Sequence, residues 1–186
     1  KKLIAKNYLP HLRRVEYTLH YNIYRTLTAD EINELYQQDY KQLSKFEFFK
    51  LYRSETDSLK RQTIMRQALE VYPSFMAAAN DLSASLISSR KADPSLLRPF
   101  AGEKAPQEVN INQVIALLNE GLFTESDSVA RFITDNDATH TMLAVNAVLN
   151  GRFDDNYATI AKTSTRNEVV MLLAMKRNDE ALKLSK

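Results

Sequence analysis

Histidine is the first residue type to consider, because its imidazole can hold a metal ion or transfer a proton near neutral pH. The sequence contains His11, His20 and His140. None has a carboxylate or a second histidine at metal-ligand spacing on the same face of a predicted helix, so no metal site is expected. We expect His20 on the exposed side of a strand and His140 in the first turn of a helix.

The chain also lacks the motifs that build the common catalytic sites. It has no cysteine, and therefore neither a thiolate nucleophile nor a disulfide. Gly102, Gly121 and Gly151 lie too far apart to form a phosphate-binding loop, and no G-x-S-x-G motif is present. We predict no catalytic residue and no cofactor.

Two pairs of acids could act together as a general acid and a general base. They are Asp135 with Asp137 and Asp154 with Asp155. Both pairs precede predicted helices, where carboxylates cap the N-terminus and interact favourably with the helix dipole. We therefore assign them to helix capping.

Five asparagines lie on or beside predicted helices, and their amides can both donate to and accept from the backbone of a bound peptide. Asn119 and Asn150 stand next to Gly121 and Gly151, so we assign them to turns. The remaining candidates for partner binding are Asn80, Asn112 and Asn146.

The composition is that of a folded, mainly helical protein. Of 186 residues, 44% are apolar and 26% are charged, with only three glycines and five prolines to form turns. The net charge of +2 provides no strong field for nucleic acid or an anionic membrane. Basic residues are concentrated in the first 26 positions, which we expect to form a solvated edge. No apolar run approaches the roughly 20 residues needed to cross a bilayer.

Residues 13–25 alternate between apolar and polar side chains, which predicts a β-strand. Because a lone strand has no partner for its backbone N–H and C=O groups, this segment should dock on another domain or chain. We therefore separate residues 1–27, as a docking strand, from a helical domain of residues 28–186. The candidate docking side chains are Arg13, Arg14, Tyr17 and Tyr21.

From Thr28 onward the apolar period becomes helical. Thr28 and Ser44 are predicted N-caps, either Thr56 or Asp57 is predicted to cap the third helix, and Pro73 is predicted to end it. The second helix carries Phe46, Phe48, Phe49, Leu51 and Tyr52, and the apolar side chains of the third, beginning with Leu59, are predicted to point inward. The second predicted helix follows Ser44, and the others span about 29–42, 57–71, 74–88, 111–120, 124–134, 138–149, 154–162, 166–176 and 179–185, with a loop over 89–110. Each is too short to be stable alone, so they must stack.

An internal repeat supports this stacking. Gly121 and Gly151 are 30 residues apart, as are Phe123 and Phe153. At each junction a glycine can take the left-handed conformation that ends a helix, and the chain then returns as a second helix. Weaker junctions of the same kind occur near Arg90 and within residues 175–184.

Residues 56–186 resemble tetratricopeptide repeats, in which an Ala is followed five residues later by a Pro. Ala68 and Pro73 have that spacing, Leu82 falls on the next conserved apolar position, and residues 178–181 (NDEA) resemble the start of the second helix. The spacing here is about 30 rather than 34, and tryptophan is absent. The resemblance implies an all-α fold, an α-α superhelix of stacked helical hairpins, preceded by the N-terminal strand. The alternative is a helical bundle without repeats.

The strand is similar to the closing strand of OmpA-like peptidoglycan-binding domains, where Asn-Arg-Arg-Val-Glu leads into the last strand. Here Arg13 to Glu16 match that run and Leu12 replaces the Asn. The similarity implies the C-terminal part of a longer protein of the bacterial cell envelope, periplasmic or associated with the outer membrane. The diaminopimelate-binding motifs are missing, so we do not expect peptidoglycan binding.

The resemblances together imply a non-catalytic scaffold that binds a protein or peptide partner in a helical-repeat groove, with no cofactor and no nucleic acid. The alternative is a structural helical appendage that packs on its own parent domain. A polar and aromatic groove would favour the scaffold, and a continuous apolar patch near residues 15–52 would favour the appendage.

Overall fold

The computed structural model describes residues 25–153 and 156–185, and this part of the chain is all helical. The predicted docking side chains Arg13, Arg14, Tyr17 and Tyr21 lie outside the described residues, as does all of the predicted strand except Arg25. The acid pair of residues 154 and 155 also lies outside them.

Ten α-helices follow one another in the described residues. They are α1 Ala29–Asp39, α2 Lys45–Ser54, α3 Ser58–Val71, α4 Met76–Ser88, α5 Gln107–Asn119, α6 Phe123–Ala130, α7 His140–Leu149, α8 Tyr157–Ala161, α9 Thr165–Ala174 and α10 Asn178–Leu184. Short 3-10 helices span Tyr40–Gln42 and Pro94–Leu96. None of the described helices has both the length and the apolar character that a bilayer crossing requires.

The predicted caps at the start of the first three helices are confirmed. Thr28 and Glu31 form a capping box at α1, and Ser44 and Glu47 form another at α2. Asp57 Oδ1 accepts from the backbone N–H groups of the second and third residues of α3, each at 2.9 Å. The α3 helix ends at Val71, two residues before Pro73, as predicted.

Four junctions share one helix-ending geometry. Arg90, Gly121, Gly151 and Lys176 are left-handed, with φ of 56°, 72°, 84° and 61°. At each, the next residue donates its N–H to the carbonyl five residues earlier, at 2.8–2.9 Å, which is the Schellman pattern. The intervals between these residues are 31, 30 and 25 positions. The last interval is shorter because only residues 162–164 connect α8 to α9, whereas residues 131–139 connect α6 to α7.

Each helix packs against the next one along the chain, and α4 also packs on α5 across the intervening loop. The largest core, formed by α1 to α4, contains the fully buried side chains of Phe48, Tyr52, Met65 and Leu82. Smaller cores around Val114 and around Met171 join the later helices.

The predicted loop of residues 89–110 is too long, because α5 begins at Gln107, directly after Pro106. Proline ends the loop here since its fixed φ suits the entry to a helix. Asn110, buried in the first turns of α5, donates to the carbonyl of Gly102 at 3.0 Å and accepts from its N–H at 2.9 Å. The loop is thereby tied to the helix.

The prediction that Leu59 points inward is wrong, because its side chain is 71% exposed. A helix that packs on one side buries only the residues of that side. On α2 that side carries Phe48 and Tyr52, which are buried, whereas Phe46 and Phe49 are 57% and 39% exposed.

Candidate functional site

Two of the predicted partner-binding asparagines meet between neighbouring helices. Asn112 on α5 donates its Nδ2 to Oδ1 of Asn80 on α4, at 2.9 Å, and both side chains are half-buried. No other described residue bonds to Asn80 Nδ2 or to Asn112 Oδ1, so this pair retains a donor and an acceptor. These are the two groups with which an amide binds a peptide backbone.

Asn146, the third predicted asparagine, serves the fold. Its side chain is buried, and its Oδ1 accepts from the Ser126 hydroxyl at 2.5 Å. Its Nδ2 donates to Oδ1 of Asp127 at 3.0 Å. Because both ends of the amide are engaged with α6, Asn146 fixes α7 to α6 and orients Asp127.

A cleft of about 540 Å³, the α6–α7 cleft, opens beside this amide. Arg152 and Asp127 line this cleft and form a bidentate ion pair. Nη2 and Nη1 of Arg152 donate to Oδ1 and Oδ2 of Asp127 at 2.5 and 3.2 Å. The hydrogen bond from Arg152 lowers the pKa of Asp127 below the usual aspartate range, and Asp127 raises the pKa of Arg152 in turn. Sequence analysis missed this pair, because 25 residues separate its members and no local spacing joins them.

His140 lies at the start of α7, as predicted, and joins three segments of the chain. Its Nδ1 lies 3.0 Å from Oδ1 of Asp135, and its Nε2 lies 3.2 Å from the Thr159 hydroxyl on α8. The prediction that Asp135 caps a helix is therefore wrong, since this carboxylate binds the imidazole instead. The turn before α7 brings the two together, because the Thr139 hydroxyl donates to the carbonyl of Thr134 at 2.7 Å.

The order carboxylate, imidazole, hydroxyl also occurs in hydrolases, where the carboxylate is buried and fixes the imidazole. Here Asp135 and His140 are 59% and 53% exposed. Water therefore competes for both groups. Such an arrangement is suited to linking α7 and α8 through hydrogen bonds.

A second cleft, of about 480 Å³, opens among α2, α3 and α4, and we refer to it as the α2–α4 cleft. Its lining includes Tyr52, whose hydroxyl is fully buried beside the Asp81 carboxylate. Burial raises the pKa of Tyr52, and the adjacent Asp81 carboxylate raises it further. Arg61 lies on the wall, where its Nε and Nη2 donate to the carbonyl of Glu55 at 3.0 and 2.6 Å.

Small hydroxyl side chains complete the lining of this cleft. Ser85 accepts from Gln62 at 2.9 Å, while the hydroxyls of Ser88 and Ser89 donate to the carbonyls four residues before them. The cleft therefore offers a carboxylate, a guanidinium and hydroxyls, which are groups that bind polar and charged side chains.

No three His, Asp or Glu side chains come together as metal ligands within residues 25–153 and 156–185. Comparison of the chain with family models, with curated proteins and with solved structures found no match. The two resemblances described above thus stand on the residues of the sequence alone.

Proposed function

We propose that this chain is a non-catalytic scaffold whose helical hairpins continue as a tetratricopeptide-like superhelix and bind a protein or peptide partner. The observation that carries the proposal is the α2–α4 cleft. In this cleft the Asp81 carboxylate lies beside the buried Tyr52 hydroxyl, and the Arg61 guanidinium belongs to the same lining. A cleft lined by one carboxylate and one guanidinium can bind partner groups of either charge.

A peptide has the chemistry that such a surface recognises. Its N–H groups and basic side chains would donate to Asp81, and its carboxylates would accept from Arg61. Asn80 precedes Asp81 on α4, and the Asn80–Asn112 pair retains a donor and an acceptor for the backbone of the same partner. Neighbouring hairpins would share the stability of the array, as in other stacked-repeat proteins.

The cellular location is proposed from the strand resemblance. A chain that follows the closing strand of an OmpA-like domain would lie in the periplasm or at the outer membrane of a bacterium. Residues 1–27 would then dock on that domain through Arg13, Arg14, Tyr17 and Tyr21, and the helices would present the partner-binding surface.

The non-catalytic part of the proposal rests on the environment of the best candidate triad. Thr159 lies within α8, and its His140 and Asp135 neighbours are more exposed than buried. A hydrolase needs donors fixed around the developing oxyanion and a carboxylate shielded from water. An exposed link between two helices meets neither requirement.

A second candidate function is a structural appendage that packs on its own parent domain. The α9–α10 hairpin favours it, because Val170, Leu173 and Leu182 are 57%, 52% and 59% exposed. Leu173 lies three residues before the left-handed residue Lys176. The equivalent residues before Gly121 and Gly151 are Leu118 and Val148, and both are partly buried against neighbouring helices. Conversely, Phe46 and Phe49 share their helix face with Lys50 and Arg53, so within described residues 25–52 this face is not a continuous apolar patch.

Capture from a cell-envelope extract of the source organism distinguishes the two functions. The bound protein is identified, purified and titrated against the chain by calorimetry. The scaffold predicts saturable binding that Asp81→Ala weakens roughly tenfold, as removal of one partner of a charged hydrogen bond does, and that the exposed control Asp137→Ala leaves unchanged. The appendage predicts that no captured protein shows this dependence.

A further inference from the structure

The carboxylates around α2 accept hydrogen bonds from backbone N–H groups. Glu47 accepts from the N–H of Ser44 at 2.7 Å, and Glu55 accepts from the N–H of Asp57 at 2.8 Å. Asp57 itself caps α3. These three carboxylates stabilise helix ends, and none forms an ion pair with a cation of α2 in the described structure.

The cations of α2 lie over aromatic rings instead. The Nζ of Lys50 is 5.0 Å from the centre of the Phe46 ring, and the guanidinium of Arg53 is 5.8 Å from that of Phe49. Lys45 lies 5.5 Å from the ring of Tyr72. None of these three cations forms an ion pair with the residues that the structure describes. Residues 44–61 contain five cations and three acids, so the segment carries a local charge of +2.

Phe46, Phe49, Lys50 and Arg53 lie at positions i, i+3, i+4 and i+7, and so they share one face of the helix. We call this set the α2 face. Two phenylalanines remain exposed on it although Phe48 and Tyr52 of the same helix are fully buried. Exposed rings beneath unpaired cations form a surface that can bind apolar and acidic groups together.

Hollows border the α2 face on both sides. Lys50 also lines a hollow of about 250 Å³ between α1 and α2, where Ile32 and Leu51 provide apolar walls. Arg53 also lines the α2–α4 cleft. An element lying along the face could therefore insert apolar side chains on one side while its acidic groups meet the cations.

We infer that the α2 face binds an acidic amphipathic segment of a protein partner, a conclusion that rests on the scaffold function proposed above. The partner segment should be acidic, because the local cations lack carboxylate partners among the described residues. The apolar hollow at Ile32 and Leu51 selects protein over nucleic acid, since nucleic acid has no aliphatic side chains to fill it.

The test uses the full chain and a synthetic helical peptide with Leu and Phe on one face and Glu on the other, labelled for fluorescence anisotropy. We expect saturable binding that weakens as salt is added. A Lys50→Glu, Arg53→Glu variant should lose roughly tenfold or more in affinity, because like charges then face each other. A Phe46→Ala, Phe49→Ala variant should also lose roughly tenfold. All these side chains lie on the surface, so the fold should persist, and circular dichroism checks it.

The matched control is Lys91→Glu, Lys104→Glu, which makes the same charge change on exposed side chains elsewhere and should leave the affinity within about twofold. An equal loss in this control would overturn the inference, because general charge would then explain binding. So would tighter binding of oligo-dT or of phosphatidylglycerol vesicles than of the peptide. If the peptide does not bind, but a protein is still captured from the extract in a way that depends on Asp81, the inference is wrong and the scaffold function stands.

Discussion

Gly121 and Gly151 end α5 and α7 in the same left-handed conformation, and 30 residues separate them. A Cβ atom at either position would meet no atom within 4 Å, so only the backbone conformation requires glycine there. These residues therefore provide a test of the hairpin junctions that is free of steric clash.

Gly121→Ala and Gly151→Ala should each lower the free energy of unfolding by about 1 kcal/mol, because an L-residue is strained at positive φ. Urea denaturation measures the change. Lys176→Gly is the reverse control: it removes the same strain, so stability should rise by up to about 1 kcal/mol. A stability loss in Lys176→Gly as large as in the alanine variants would contradict this account of the junctions.

Asn146→Ala should destabilise the chain by about 1 kcal/mol, because it removes the two hydrogen bonds that join α7 to α6, while Ser126 keeps the Phe123 carbonyl and Asp127 keeps Arg152. Asn119→Ala, at an exposed position, serves as the control and should change stability by less than about 0.5 kcal/mol. If Asn146→Ala instead weakened partner binding at unchanged stability, the amide would be a binding group as the sequence analysis predicted.

The ion pair of Asp127 and Arg152 should make stability depend on pH. Since Arg152 lowers the folded-state pKa of Asp127, the pair contributes stability above the unfolded-state pKa, about 3.9. That contribution is lost as the pH falls through the lowered pKa. Arg152→Gln should therefore cost about 0.5 kcal/mol at neutral pH, the value typical of a partly exposed pair, and nothing in stronger acid.

Urea denaturation at several pH values measures this difference. Arg66→Gln, which removes an exposed arginine of α3, is the matched control and should show no such dependence. A cost that is the same at every pH would mean that Arg152 acts by packing alone.

The His140 link should affect stability without supporting catalysis. His140→Ala and Thr159→Val should each cost about 0.5 kcal/mol of stability, as expected for an exposed hydrogen bond. The rate of hydrolysis of p-nitrophenyl acetate should be the same in the wild type and in both variants. A saturable hydrolysis rate that disappears in both would show that Asp135, His140 and Thr159 act as a catalytic triad.

Sequence reasoning succeeded where structure is local. Thr28, Ser44 and Asp57 bond to N–H groups two or three residues away, so residue type and position were enough to predict the caps. The left-handed residues Gly121 and Gly151 were predictable for the same reason, because only glycine takes that conformation without strain.

The candidate sites depended on contacts that no spacing reveals. Asp81 adjoins Tyr52 only because α4 packs near α2, and Arg152 reaches Asp127 across a hairpin. Apolar residue type alone also predicted Leu59 as interior. Its exposure follows from which face of α3 the neighbouring helices cover, and that depends on the packing of the whole domain.

Site-specific photo-crosslinking tests the central claim most directly. A photoreactive amino acid replaces Ser88, which is an exposed residue of the α2–α4 cleft. In a control chain it replaces Glu103 in the loop before α5. After illumination in an envelope extract, the account predicts one defined protein crosslinked through residue 88, absent at residue 103 and diminished by Asp81→Ala. No crosslink at residue 88, or the same products from both positions, would contradict a partner-binding role for this cleft.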